Sequence, residues 1–166
     1  MNSDFQESYK QHRKNVEEFW DTMKVDEESK AQFIANAVQS AIAKKDENQI
    51  ELLIDATFEI RNSITQVDTL NHLLVIKGHH RHQEITMGIQ KFAHPSSVSF
   101  INDVLNGGFD HLDYNCSDSD VIAKWFSHAL FKIGTEEAFD SIRKFANSHD
   151  EGIRNEMQYR LNKIKT

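Results

Sequence analysis

A single cysteine, Cys116, occurs in 166 residues, so no disulfide can close within the chain and no multi-cysteine zinc site can be built. Proline is nearly absent, with Pro95 alone, and there are only six glycines. Scarcity of both breakers favours long helices joined by short turns. No apolar run approaches the roughly 20 residues that a membrane span needs. The first residues, MNSDFQESYK, are polar and acidic where a secretory signal would be basic and then apolar. The expectation is a soluble cytoplasmic protein with no membrane partner. Basic residues are in deficit, 19 against 26 acidic, for a formal net charge of −7. Phosphate-backbone binding rests on clustered Lys and Arg, so nucleic acid is not an expected partner, whereas a basic protein is. Serine nucleophile motifs, Gly-rich phosphate loops and the His-Glu-x-x-His pattern are missing. No catalytic residue, cofactor or metal is assigned, and the expectation is a binding protein rather than an enzyme.

What is present is helical periodicity. Ile122, Trp125, Phe126, Ala129, Leu130 and Ile133 fall at i, i+3, i+4, i+7, i+8 and i+11, one apolar stripe on a helix. Gly134 is placed to end it in the left-handed C′ conformation. Thr135 suits the next N-cap, and Glu136 and Glu137 put negative charge at that helix's positive end. Ala138, Ile142, Phe145 and Ala146 carry the second stripe, so 119–145 reads as a tight helical hairpin. Upstream, 4–23 is predicted helical on Phe5, Tyr9, Val16, Phe19, Trp20 and Met23, with His12 and Arg13 interrupting the pattern. A cleaner helix spans 28–43 on Phe33, Ile34, Ala37, Val38, Ala41 and Ile42.

The hairpin repeats. Residues 84–106 align without gaps onto 125–147 at an offset of 41, Ile85 falling on Phe126, Ile89 on Leu130 and Ile101 on Ile142. Flanking offsets are 31: Val67, Leu70, Leu73 and Leu74 precede Val98, Ile101, Val104 and Leu105, Ile54 and Phe58 precede Ile85 and Ile89, and Ile153, Met157, Leu161 and Ile164 follow Ile122, Phe126, Leu130 and Ile133. The unit is therefore about 31 residues of two short helices, with ten extra residues between Leu105 and Ile122. Such a unit buries its stripe only by stacking on neighbours. The predicted fold is all-α, a single helical-hairpin solenoid domain over 1–166. A helical cap at 1–45 precedes repeats at 46–166, and a long loop lies at 107–119.

The segments ALFKIGTEEAFDSIRKFA (129–146) and HDEGIRNEMQYRL (149–161) resemble HEAT-like repeats of the short, phycobilisome-lyase-like kind. GHHRHQEI (78–85), HPSSVSFINDVL (94–105) and FDHLDYNCSDSDVIAKWFSHAL (109–130) are similar to a group of small bacterial HEAT-repeat proteins with a His-rich segment and an acidic Leu-Asp-Tyr loop. The likeness covers 78–164, about half the chain. Glu136 stands where the family's corner has Pro, and Gln83 where an acidic residue is usual. The resemblance implies a surface for a protein partner and, for some such proteins, immunity or antitoxin-like inhibition of a toxin. It implies as an alternative a small-ligand-binding or bilin-lyase-like protein.

Two segments carry candidate site residues. Loop 107–120 offers Asp110, His111, Asp113, Tyr114, Asp118 and Asp120, an acidic, aromatic-bearing rim suited to a basic partner such as a toxin domain. It lacks the calcium-loop pattern, and the bland alternative is a connector with Asp118 or Asp120 capping the next helix. The second segment is His79, His80, Arg81 and His82, expected at the same rim, with Trp125 beside the loop. Among the three histidines only His79 and His82 have helical ligand spacing, so the favoured expectation is a packed helix start rather than a metal centre.

Overall fold

The computed structural model describes residues 3–115 and 117–164. Every regular element among them is helical: α1 Ser3–Met23, α2 Lys30–Lys44, α3 Glu47–Phe58, α4 Ser63–Val75, α5 His82–Phe92, α6 Ser97–Gly107, α7 Ser119–Ile133, α8 Glu136–Phe145 and α9 Glu151–Ile164. Short 3₁₀ turns occupy Glu27–Ser29 and Asp110–Asn115. No described helix is long and apolar enough to cross a membrane.

The chain divides into two compact units, 1–69 and 70–166, with the boundary inside α4. In the first, α3 packs against both α1 and α2, so residues 1–45 share their core with Ile50, Leu53 and Ile54. Val16, Phe19, Ile34 and Val38 fill that core. Phe19 and Trp20 meet edge-on at 4.9 Å, and the Trp20 indole N–H donates to the Ala56 carbonyl at 2.8 Å. His12 leaves the apolar stripe because its Nε2 reaches Asp55 at 2.8 Å.

In the second unit α7 lies against α5 and α9, α6 against α8, and α8 also against α7 and α9. Most positions of the 31-residue register are buried, among them Val67, Leu70, Leu73, Leu74, Val98, Ile101, Val104 and Leu105, whereas Phe58, Leu161 and Ile164 are half-buried. Ile122 and Phe126 correspond to buried Ile153 and Met157. The α7–α8 corner forms as its residues dictate. Gly134 ends α7 at φ 68°, and the Thr135 hydroxyl accepts the Ala138 N–H at 3.3 Å. Asp150 joins α9 to α7, its Oδ1 accepting the Ile153 N–H at 2.9 Å and the Ser119 hydroxyl at 2.7 Å. Burial pushes that carboxyl up, but these bonds and one from the Gly152 N–H outweigh it and hold the pKa below its ordinary value.

Candidate functional site

Within the ten-residue insertion, Asp110–Asn115 form a 3₁₀ turn. Phe109 and Leu112 turn inward, 8% and 0% exposed, and the Phe109 ring stacks on Phe126 of α7 at 5.7 Å. Three residues apart, they lie on one side of the 3₁₀ turn Asp110–Asn115. Burying two large apolar side chains contributes about 3–5 kcal/mol, enough to offset part of the ordering entropy.

Beside this turn sits the histidine segment, whose members part company. His79 and His82 are buried, 1% and 0% exposed, and their rings stack at 3.9 Å and 15°. The His79 Nε2 lies 3.0 Å from the Leu73 carbonyl, which can only accept, so Nε2 carries the proton. Its Nδ1 then accepts the Arg81 backbone N–H at 3.2 Å. His82 repeats the arrangement, Nε2–H donating to the Ile76 carbonyl at 2.9 Å. Its Nδ1 accepts the Tyr114 hydroxyl proton at 3.1 Å, and the Tyr114 oxygen accepts the His82 backbone N–H at 3.1 Å. All four ring nitrogens are engaged with both rings neutral. Burial lowers the His79 pKa to about 4, the His80, Arg81 and His111 charges adding to it against the Leu73 bond. Burial lowers that of His82 to about 3, His79 contributing next.

Tyr114 is thus a fastening, half-buried, with His80 stacked on its ring at 4.7 Å and His111 edge-on to His82 at 5.3 Å. Burial raises its phenol pKa. Tyr114→Phe should cost about 2 kcal/mol in urea unfolding, because it leaves two buried His82 groups without a partner. An unchanged midpoint would contradict this geometry.

The remaining sequence candidates are placed as follows. Arg81 forms an ion pair with Glu84. His80, Asp110, Asp118 and Asp120 are exposed, and His111 is half-buried. Asp118 occupies the N-cap of α7 without a side-chain cap bond, and Asp120 lies in the first turn. Trp125 is half-buried against Phe126, and its carbonyl accepts the Gln90 amide at 2.9 Å. The Asp113 side chain and Cys116 lie outside the described residues. His80, His111 and Tyr114 therefore gather around His82, while Asp118 and Asp120 stand at the start of α7.

With every nitrogen of the stacked pair occupied, neither ring offers a lone pair to a metal or a proton to a substrate. Among the described residues no three His, Cys, Asp or Glu side chains converge to hold a metal ion. The arrangement can fix the shape of a loop and its exposed charges. The sequence pointed to a packed helix start at His79 and His82 but not to their full burial, because their partners are backbone carbonyls and a tyrosine 32 residues on. The available signal was Phe109-x-x-Leu112 followed by Tyr114, an apolar pattern inside an acidic loop. No protein-family model matches the chain, and neither a curated protein nor a solved structure matches it.

Proposed function

We propose that this chain is a protein-binding module built from HEAT-like helical hairpins, acting as an immunity or antitoxin-like inhibitor of a basic toxin domain. The observation that carries the reading is the 3₁₀ turn inside the insertion, held by Phe109, Leu112 and Tyr114, which leaves Asp110 exposed next to His111 while exposed His80 stacks on Tyr114. Long ordered loops in compact helical proteins are usually functional. Fixing charges before a partner arrives lowers the ordering cost of binding. The 31-residue register and the lateral packing of α5, α7 and α9 support the hairpin-repeat part of the reading.

The ligand-binding alternative has a cleft of about 680 Å³ in residues 1–69, lined by Ser8, Gln11, His12 and Asn15 of α1 and by residues 46–52. Its lining is mostly polar, unlike the apolar walls that usually enclose a cofactor, so the protein-binding reading is preferred.

A tagged pull-down from the native cell at two salt concentrations tests it. A stoichiometric basic protein should be captured at low salt and lost at high salt. Reversing charge with Asp110→Lys and Asp118→Lys should weaken capture by at least about tenfold while lowering stability by no more than about 1 kcal/mol, the cost of a cation at the α7 N-cap, since both side chains are exposed. Capture of nothing, or capture indifferent to this double change, would reject the reading.

A further inference from the structure

The acidic charge is unevenly distributed. Residues 1–69 carry 8 basic and 14 acidic side chains, a net of −6, whereas residues 70–166 carry 11 and 12, a net of −1. The overall charge of −7 therefore says little about any one surface of the second unit.

One such surface is basic. Lys124, His128 and Lys132 are all exposed and follow one another at i, i+4 and i+8 along α7, a row of about 12 Å at 1.5 Å per residue. Arg160 and Lys163 of the adjoining α9 face the same row. Their positive charges, with those of Lys132 and Lys124, add to burial in holding the His128 pKa below its ordinary value. Within the described residues none of the four permanent cations Lys124, Lys132, Arg160 and Lys163 makes an ion pair. Elsewhere Lys30, Arg81 and Arg143 do.

Arg160 is the informative member. It is only 6% exposed, and its Nε donates to the Ser127 hydroxyl at 3.3 Å. Its guanidinium lies 5.9 Å from the Phe131 ring centre and 5.3 Å from that of Tyr159. The guanidinium thus stands beside other cations and at an aromatic edge. Tyr159 is 51% exposed, with the Lys163 ammonium 4.5 Å above its ring. The nearest acidic influence is Glu156, whose carboxylate is 3.4 Å from the Ser127 hydroxyl.

From this row of cations, none in an ion pair among the described residues, interleaved with an exposed aromatic ring, we infer that the α7–α9 face binds single-stranded nucleic acid. The phosphates run along Lys124, Lys132, Arg160 and Lys163, and a base stacks at Tyr159. A linear row fits a polyanion better than a single small anion, and an aromatic between cations is what a base, rather than an acidic peptide, would use. The inference is independent of the acidic rim, which lies at the opposite, N-terminal end of α7.

The test is fluorescence anisotropy with a labelled oligouridylate of about twelve nucleotides, titrated at several salt concentrations. Four neutralised phosphates give a slope of log affinity against log salt near −3. Lys132→Glu with Lys163→Glu should weaken binding by at least about tenfold, with an unchanged circular dichroism spectrum because both lysines are exposed. Glu156→Gln should tighten it. Tyr159→Ala should weaken oligouridylate while leaving base-free polyphosphate unaffected. Absence of binding at low salt, equal binding of a duplex, indifference to the lysine reversals, or capture of a phosphopeptide in place of the oligonucleotide would each overturn the inference.

Discussion

Stability should fall steeply in mild acid, by as much as about 2.7 kcal/mol for each pH unit between about pH 6 and pH 4. The cause is the stacked pair. In the unfolded chain His79 and His82 take up protons near pH 6.5, whereas in the folded chain their pKa values lie near 4 and 3. A group whose folded pKa is depressed contributes stability that is complete above the unfolded pKa and lost as pH falls toward the folded one. Two such groups give twice the single-proton slope of about 1.4 kcal/mol per pH unit. Burial is the larger cause of that depression, and the mutual repulsion of two stacked cations is part of it, already holding the His82 value below that of His79. At the lower end of a typical total of 5–15 kcal/mol, the second unit should open near pH 4.5, at the upper edge of the carboxylate range. Urea titrations at pH 7.5, 6, 5 and 4.5 measure the slope. His79→Gln with His82→Gln should lower stability at pH 7 and flatten the slope, an outcome that generic acid sensitivity would not produce.

Gly152→Ala should be the other severe change, at about 3 kcal/mol. A Cβ at Gly152 would stand 2.5 Å from the Asp120 backbone nitrogen and 2.7 Å from the Ser119 carbonyl carbon. Both belong to the first turn of α7, so relief requires the two helices to separate or α9 to tilt. Overpacking of this kind costs about 1–3 kcal/mol where side chains can adapt, and backbone atoms adapt least. Moving α9 also strains the Asp150 bonds to Ser119 and Ile153. Gly107→Ala in α6 is the matched control. Nothing lies within 4 Å of its Cβ position, so the higher helix propensity of alanine should leave stability unchanged or raise it by up to about 1 kcal/mol. Equal effects at the two sites would mean that α7 and α9 are not in backbone contact.

The contrast between these sites and the helix corners shows what a sequence can disclose. Gly134 and Thr135 were legible because their roles depend on neighbours within four residues. The hairpin register was legible because equivalent stripe positions recur every 31 residues and most of them are buried. The first helices were placed nearly where they form, with 28–43 realised as a 3₁₀ turn and then Lys30–Lys44. His12 looked like a flaw in the first stripe because its partner, Asp55, is 43 residues away. His79 and His82 were expected at a packed helix start on the binding rim, but their complete burial was not legible, because it depends on the carbonyls of Leu73 and Ile76 and the Tyr114 hydroxyl. The basic face was hidden by an acid count summed over the whole chain.

The central claim is that a buried, neutral histidine pair fixes the acidic loop before any partner arrives. Long-range proton–nitrogen NMR of the imidazole rings from pH 7.5 to 5 tests it most directly. The account predicts two non-exchanging rings protonated at Nε2 and bare at Nδ1, neither titrating above pH 5. Two rings that average their tautomers, or titrate near pH 6.5, would contradict it.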